Sequence, residues 1–492
     1  MNTKMIRYVT GYILKLEATF LIPPLFISFY YHESALMHKS YLASMVLLGV
    51  CGFLLSRKIP ENQKMYAKEG LFIVSVSWIL LSFFGALPFV FSGYIPSIID
   101  AFFETVSGFT TTGASILTNV EALPASLLFW RSFTHLVGGM GVLVLALAIL
   151  PKNSNQALHL MKAEVPGPTF GKFVAKMSYN SRILYIIYIM MTALLTVALF
   201  LEGMPFFDSV LHAFGTAGTG GFGIKNNSIA FYNSAVIDYT IGIGMLMFSL
   251  NFNLYYILLI GNIKQFFKSE EMKWFLAIVF ISITLICINI SYMYNDIFRM
   301  IRDVFFTVSS IVSTTGYSTA DFNKWPLFSK VILLFLMFMG GCAGSTAGGL
   351  KVSRSVIFIK SAIREFKKLG NINRIVSLKM EGKPVSKDLM ESISSYLIVY
   401  IGVFVSILLI ISFSVEDLDA AFSAVAATFN NIGPGFEIFG PTSNYSSLTP
   451  LNKIVLSFSM LLGRLEIFPV LILFSPKTYK MAKKGLLQID DF

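Results

Sequence analysis

The chain is short of charge and short of cysteine, and each shortage excludes something. Asp, Glu, Lys and Arg make up 13% of its 492 residues, against 55% hydrophobic, and the mean hydropathy is +0.71. A soluble domain carries about 25% charged residues, so the chain is an integral membrane protein. Its 47 phenylalanines suit helices that face lipid. The three cysteines, Cys51, Cys287 and Cys342, lie in or beside apolar segments without metal-ligand spacing, which excludes a disulfide framework. No small-residue cleavage site follows Lys4 and Arg7, so the first apolar stretch reads as a retained helix. No nucleophile–base pair, metal-ligand cluster or phosphate loop accompanies a soluble domain. GGMG (Gly138–Gly141) and GTAGTGG lie in membrane segments, where they are poor nucleotide sites. The chain is therefore not read as an enzyme, and no cofactor is expected.

What charge there is has a pattern. The net charge is +11. Segments 1–10, 57–68, 151–182, 264–273, 351–387 and 475–492 hold 28 of the 38 Lys and Arg. That asymmetry is the positive-inside rule. It places both termini in the cytoplasm and makes the number of crossings even. It also accounts for the basicity without nucleic acid.

A helix needs roughly 18–25 apolar residues to span a bilayer. Ten segments qualify: 8–31, 41–57, 70–93, 126–150, 182–204, 235–263, 273–295, 328–362 (interrupted), 391–415 and 452–475. Four more, 100–111, 208–219, 303–314 and 419–431, are too short to span and read as re-entrant, since non-helical backbone at that depth must be satisfied by protein or water. After two opening helices the order long–short–long recurs four times. The expected class is an all-α polytopic membrane protein: an N-terminal two-helix hairpin (1–66), repeats at 67–151, 175–265, 266–365 and 388–476, and a tail (477–492). A repeat of this kind is a stronger fold signal than any single motif.

Each short segment ends in a polar glycine run: DAFFETVSGFTTTGAS (Asp100–Ser115), DSVLHAFGTAGTGGFG (Asp208–Gly223), DVFFTVSSIVSTTGYS (Asp303–Ser318) and DAAFSAVAATFNNIGPG (Asp419–Gly435). Registered on one glycine they become TTGAS, TGGFG, TTGYS and NIGPG, centred on Gly113, Gly221, Gly316 and Gly433. An Asp stands 13 residues before the first three glycines and 14 before the fourth. Asp suits a helix N-cap, so each short segment reads as a capped half-helix leading into a loop. A dehydrated cation needs several carbonyl oxygens at once, glycine accepts the positive φ that aims them, and a half-helix directs its negative C-terminal end at the ion. A lone TTG is a turn. Four in register, each after a half-helix, predict a selectivity filter made of Thr111, Thr112, Gly113, Thr219, Gly220, Gly221, Thr314, Thr315, Gly316, Asn431, Ile432 and Gly433. The loops are unequal. The fifth position is Ser115, Gly223, Ser318 and Gly435, Asn431 and Ile432 replace the threonines, and Pro434 stiffens the last loop. Fewer tight sites and looser K⁺/Na⁺ discrimination follow as expectations.

Two features lie inside long segments. GGCAGSTAGGLK (Gly340–Lys351) has nine small residues in twelve, five of them glycine. Helix packing needs small residues every fourth position, and a continuous run fits an intramembrane loop better. Lys351 closes it, directed into the pore or out to the cytosol. Arg464, in GRLEIFP, is an intramembrane charge. Glu466 is two residues on, off its helix face. Arg464 either faces the pore below the filter or forms a structural ion pair.

These runs, with GGCAGSTAGGLK and GRLEIFP, identify a resemblance: over essentially its whole length the chain resembles the TrkH-type subunit of the bacterial Trk/Ktr potassium-transporter superfamily. The two extra N-terminal helices look like TrkH rather than the shorter Ktr subunit. The resemblance implies a K⁺ pore in a bacterial inner membrane. It also implies a homodimer and a cytosolic, nucleotide-binding TrkA-type regulatory partner, with nucleotide only on that partner. It assigns gating to Gly340, Gly341, Gly344, Ser345, Thr346, Gly348, Gly349 and Lys351, with Arg464 as the barrier charge.

Weaker features remain. Arg131 and His135 read as an interfacial anchor, and His212 as packed. The basic connection 351–387 follows the positive-inside bias or docks an acidic cytosolic partner. Asp296, Asp321, Glu416 and Asp417 are outer-side carboxylates of ordinary number. The alternative functions are a Na⁺-permeable or Na⁺-coupled transporter on the same architecture, and a membrane enzyme or scaffold. The last needs catalytic polar groups that the spans, apart from Arg131 and Arg464, do not offer.

Overall fold

The structure is a computed structural model describing residues 1–62, 65–141, 177–369 and 377–474. The end of the expected span 126–150, most of the connection 151–182, part of 351–387 and the tail 477–492 lie outside the described residues.

The described chain is mostly helical, as long apolar runs in lipid must be, because only a helix satisfies every backbone group within the segment, with one short antiparallel strand pair at Lys379–Met380 and Lys383–Pro384. Two helices, α1 (Thr3–Phe20) and α2 (Ile22–Tyr30), precede α3 (Ala35–Leu55). The two run on through Leu21 as one span, Thr3–Tyr30, with Pro23 and Pro24 in the first turn of α2, where they lack only N–H groups that would be unpaired anyway, and the chain turns back at residues 31–34. The hairpin packs through α1 onto α4 (Ala67–Gly85), the first helix of repeat 1.

Four half-helices follow in sequence, each placed between longer helices. Repeat 1 has α5 (Leu87–Phe91), half-helix α6 (Ile98–Phe109) and α7 (Ala125–Gly139). Repeat 2 has α8 (Met177–Leu201), half-helix α9 (Phe206–Gly218) and the broken pair α10 (Ala235–Phe248) and α11 (Phe252–Leu259). After the short α12 (Ile263–Lys268), repeat 3 has α13 (Glu270–Ile290), half-helix α14 (Ile297–Val312), α15 (Leu327–Met339) and α16 (Val352–Leu369). Repeat 4 has α17 (Lys387–Ile411), half-helix α18 (Leu418–Phe429), α19 (Pro450–Arg464) and α20 (Phe468–Leu471).

The repeats close a ring. Half-helix α9 packs on α7 of repeat 1, α14 on α10 of repeat 2, α18 on α15 of repeat 3, and α6 on α19 of repeat 4. A polar clasp marks each seam. Arg131 donates to the Gly223 carbonyl at 2.8 Å between repeats 1 and 2. Arg302 lies 3.4 Å from Asp238 between repeats 2 and 3. Lys330 lies 3.1 Å from Glu437 between repeats 3 and 4, and Lys453 lies 2.7 Å from Asp100 between repeats 4 and 1.

Several expectations change in detail. Six described helices are long and apolar enough to cross a membrane, or eight with each bent pair counted as one span, so the count of ten is not reached among the described residues. The segment 328–362 is interrupted as its composition predicts, but two further spans are also broken. Residues 235–263 bend by 93° between Phe248 and Phe252, and the last span bends by 120° after Arg464. No proline marks the first break. The four repeated aspartates are not N-caps. The caps sit earlier, at Ser97, Asp296 and Asp417, whose side-chain oxygens accept first-turn N–H groups, with Pro205 opening the second half-helix. Asp100, Asp208 and Asp419 stand in the first turn, where charge still favours the helix dipole. Asp303 lies mid-helix, because α14 begins six residues earlier than its apolar pattern indicates.

Candidate functional site

All four half-helices end the same way. The residue at the turn has a positive φ: 54° at Thr111, 55° at Thr219, 58° at Thr314 and 57° at Asn431. Its N–H bonds one turn back, to Gly108, Thr216, Ile311 and Thr428 respectively. The next N–H reaches back five residues: Thr112 to Ser107 at 2.9 Å, Gly220 to Gly215 at 2.8 Å, Thr315 to Ser310 at 2.9 Å and Ile432 to Ala427 at 2.8 Å. This is a Schellman-type helix stop. A β-branched residue at positive φ is a genuine outlier, and strain of this kind persists only where the surroundings over-determine it. Asn tolerates that conformation. The apparent departure at Asn431 therefore preserves the loop's backbone.

The registered glycines come next, with φ of 82° at Gly113, 73° at Gly221, 88° at Gly316 and 97° at Gly433. Their neighbours close the ring a second time. A methyl on Gly113 would fall within 3.0 Å of the Gly220 carbonyl oxygen, one on Gly221 of Thr315 O, one on Gly316 of Ile432 O, and one on Gly433 of Thr112 O. Each glycine thus abuts the carbonyl of the residue before the next repeat's glycine. The order is 1–2–3–4–1, and no side chain fits between.

Side chains behind the loops hold this backbone. Glu104, on α6, accepts from Arg131 at 2.6 Å, from Ser115 Oγ at 3.0 Å and from the Ile116 N–H at 2.9 Å. Arg131 lies 3.6 Å from the centroid of Phe222. It is 3% exposed, so it is a bracket behind the glycine loops and not an interfacial anchor. Tyr317 donates to the His212 and Phe222 carbonyls at 3.3 and 3.4 Å, and Tyr445 to Gly433 O at 2.7 Å. His212 is fully buried, its Nδ1 2.8 Å from Asp208 O. Asn431 donates across the 4–1 seam to Thr112 Oγ1 at 2.9 Å and, within repeat 4, to Met460 O at 2.9 Å.

The segment Gly340–Lys351 is a loop, as its composition predicts. Gly340, Gly344, Gly349 and Lys351 all have positive φ, a conformation a continuing helix could not use. It is docked into the break between α10 and α11: Cys342 N–H to Ser249 O at 2.9 Å, Phe252 N–H to Gly344 O at 3.1 Å and Thr346 Oγ1 to Phe248 O at 3.1 Å. Gly341 packs against Ser249 O and Ser345 Oγ, so a methyl there would strike the Ala347 methyl. The loop touches the third glycine loop directly, where the Gly348 N–H donates to Thr314 Oγ1 at 2.7 Å. The break in α10–α11 is the seat of this loop, which explains a bend without proline.

Arg464 ties the loop to repeat 1. Its guanidinium donates to Thr346 O at 2.6 Å and to Gly138 O and Gly139 O at 2.6 Å each. The GGMG run thus serves as a pair of carbonyl acceptors where α7 ends. Glu466 turns instead to Arg354, at 2.6 Å. Lys351 is buried and bonds Ala347 O, so its ammonium turns back onto the loop. Glu271 accepts from the Ala343 and Ser353 N–H groups at 2.8 and 3.1 Å and pins both ends of the loop.

All the expected filter and loop residues are therefore brought together. Glu104, Glu271, Tyr317 and Tyr445 are not anticipated from the sequence. The signal for Glu104 was present, since a carboxylate inside an apolar helix is expensive and by default functional, whereas Glu271 stands in the first turn of α13, where an acid is ordinary.

The comparisons with known proteins agree with this geometry. The family model TrkH, described as a cation transport protein, matches residues 37–481. The Trk system potassium uptake protein TrkH of Escherichia coli K12 is 35% identical over 488 residues, covering 98% of this chain and all of that one. The Trk system potassium uptake protein TrkG of the same strain is 33% identical, covering 96% of this chain and 99% of that one. The crystal structure of the potassium transporter TrkH from Vibrio parahaemolyticus superposes with a TM-score of 0.88 at 31% identity, covering 97% of this chain and all of that one. A four-repeat membrane bundle, a family model over nine-tenths of the chain and full-length relatives above 30% identity converge: the chain belongs to the TrkH family of cation transport proteins.

Proposed function

We propose that the chain takes up potassium across the cytoplasmic membrane through one filter built from its four loops, gated by the loop 340–351 and Arg464. The observation that carries this is the closed ring in which each registered glycine abuts the next repeat's carbonyl. Backbone oxygens of Thr112, Gly220, Thr315 and Ile432, with those around Gly113, Gly221, Gly316 and Gly433, would replace the water of a K⁺ ion. The C-terminal ends of four half-helices favour a cation beside them. The names of the relatives support potassium as the ion and a system of several components. We infer a homodimer in the lipid bilayer with both termini cytoplasmic. A cytosolic TrkA-type subunit that carries the nucleotide would dock on the basic connection 351–387 and act on the gate.

A Na⁺-permeable pore is the second reading. It is favoured by Ser115 and Ser318, which stand where the other two loops have Gly223 and Gly435. One experiment tests the first reading. The chain, with a suitable regulatory partner, is expressed in a bacterium lacking K⁺ uptake, and growth at low K⁺ is scored with Gly316→Ser as the control. Rescue by the intact chain and not by Gly316→Ser is expected. No rescue despite membrane expression refutes it, and rescue together with Na⁺ influx of equal rate favours the second reading.

A further inference from the structure

We propose that His135 is a positioning residue of the second filter loop, its imidazole filling the space that a side chain occupies at the matching position of the other three loops. This rests on the filter reading above and names a residue that sets one carbonyl of the ring.

Before the registered glycine the loops carry Thr112, Gly220, Thr315 and Ile432. In the second loop the positive φ values belong to Thr219 and Gly221, so backbone conformation does not ask for glycine at 220. Space does. A Cβ on Gly220 would fall within 3.0 Å of Cγ, Nδ1 and Cδ2 of His135, inside the ring's own volume. The imidazole is stacked on Phe222, with centroids 4.3 Å apart and planes at 21°. The His135 backbone carbonyl lies against Gly218, where a Cβ would also collide. One residue of α7 therefore touches the second loop before, at and after the filter position.

The ring is fully buried, and neither of its nitrogens bonds a protein group among the described residues. Shape and stacking fix its place. The carbonyl it backs, that of Gly220, is the one against which Gly113 of repeat 1 packs. The second loop has lost its side chain to a plate supplied by the preceding repeat, and the pair His135–Gly220 replaces what threonine provides elsewhere.

The test uses the full chain in proteoliposomes as wild type, Gly220→Ala, His135→Ala and the double variant. The readouts are Rb⁺ uptake, its competition by K⁺ and Na⁺, and thermal unfolding. Gly220→Ala is expected to cut uptake about 100-fold, the scale of an ångström-size displacement at a reacting centre. His135→Ala is expected to narrow the preference for K⁺ over Na⁺ about tenfold, the scale of a direct contact. The double variant, in which the methyl takes vacated space, should recover uptake to within about tenfold of wild type. A double variant no better than Gly220→Ala overturns the proposal, as does His135→Ala with unchanged ion preference. If the wild type moves no Rb⁺ or K⁺, the filter reading fails instead. The packing is then still judged by whether His135→Ala restores the unfolding temperature lost in Gly220→Ala.

Discussion

Replacing Arg464 by Ala should open the pore. The guanidinium holds one carbonyl of the intramembrane loop, Thr346 O, and two of repeat 1, Gly138 O and Gly139 O. Movement of the loop away from repeat 1 breaks the Thr346 bond and leaves the other two intact. A hydrogen bond to a charged group contributes about 1.5–3 kcal/mol, and about 1.4 kcal/mol is a factor of ten. The open-to-closed ratio should therefore rise about 10- to 100-fold. In the proposed pore, loss of this positive charge adds to the flux in the same direction. The assay is Rb⁺ flux into proteoliposomes holding the chain without a regulatory partner, normalised to monodisperse protein. Arg464→Lys, which keeps the charge but not the three-way fork, should fall between wild type and Ala. Unchanged flux in a folded Arg464→Ala protein would refute the reasoning, since the latch would then not limit opening.

Much of this was legible before any coordinates. The four loops were visible because a filter needs glycine at one register, and Gly113, Gly221, Gly316 and Gly433 satisfy it. The loop 340–351 was visible because a run of small residues is neither a packing stripe nor a good helix. What was hidden has a common cause. The break in α10–α11 comes from docking of a segment far along the chain, at Ser249–Cys342 and Phe252–Gly344, and no local signal records it. Arg131 read as an interfacial anchor because its carboxylate partner, Glu104, sits 27 residues away on a half-helix. Asp100, Asp208 and Asp419 read as caps because a first-turn acid and an N-cap differ by two or three residues and helix ends are read poorly from sequence, whereas Asp303 misled because α14 starts well before its apolar run. Asn431 looked like a defect in the filter, yet its φ matches the threonines within a few degrees. Side-chain chemistry diverged there while the backbone requirement did not.

Three further outcomes follow from the same contacts. Gly316→Ala places a methyl against Ile432 O at a φ of 88° and should abolish uptake in a chain that still reaches the membrane, read as Rb⁺ influx against surface expression. Thr314→Val removes the acceptor of the Gly348 N–H, the direct link between filter and loop. It should raise partner-independent flux several-fold, about what the loss of one hydrogen bond of 0.5–1.5 kcal/mol allows. The pair Glu104–Arg131 offers the sharpest stability test, because both groups are buried and each also holds filter backbone. Removing one partner of such a pair costs about 3–5 kcal/mol by leaving an uncompensated charge, whereas replacing both by apolar groups is often close to neutral. Glu104→Met and Arg131→Met should each lower the unfolding temperature sharply, and the double variant should be more stable than Arg131→Met alone. Uptake separates the two jobs of the pair. Even in a stable double variant Ile116 N–H and Gly223 O lose their charged partners, so ion selectivity should relax although the fold is restored. If stability and selectivity recovered together, the bracket would be a structural ion pair and nothing more.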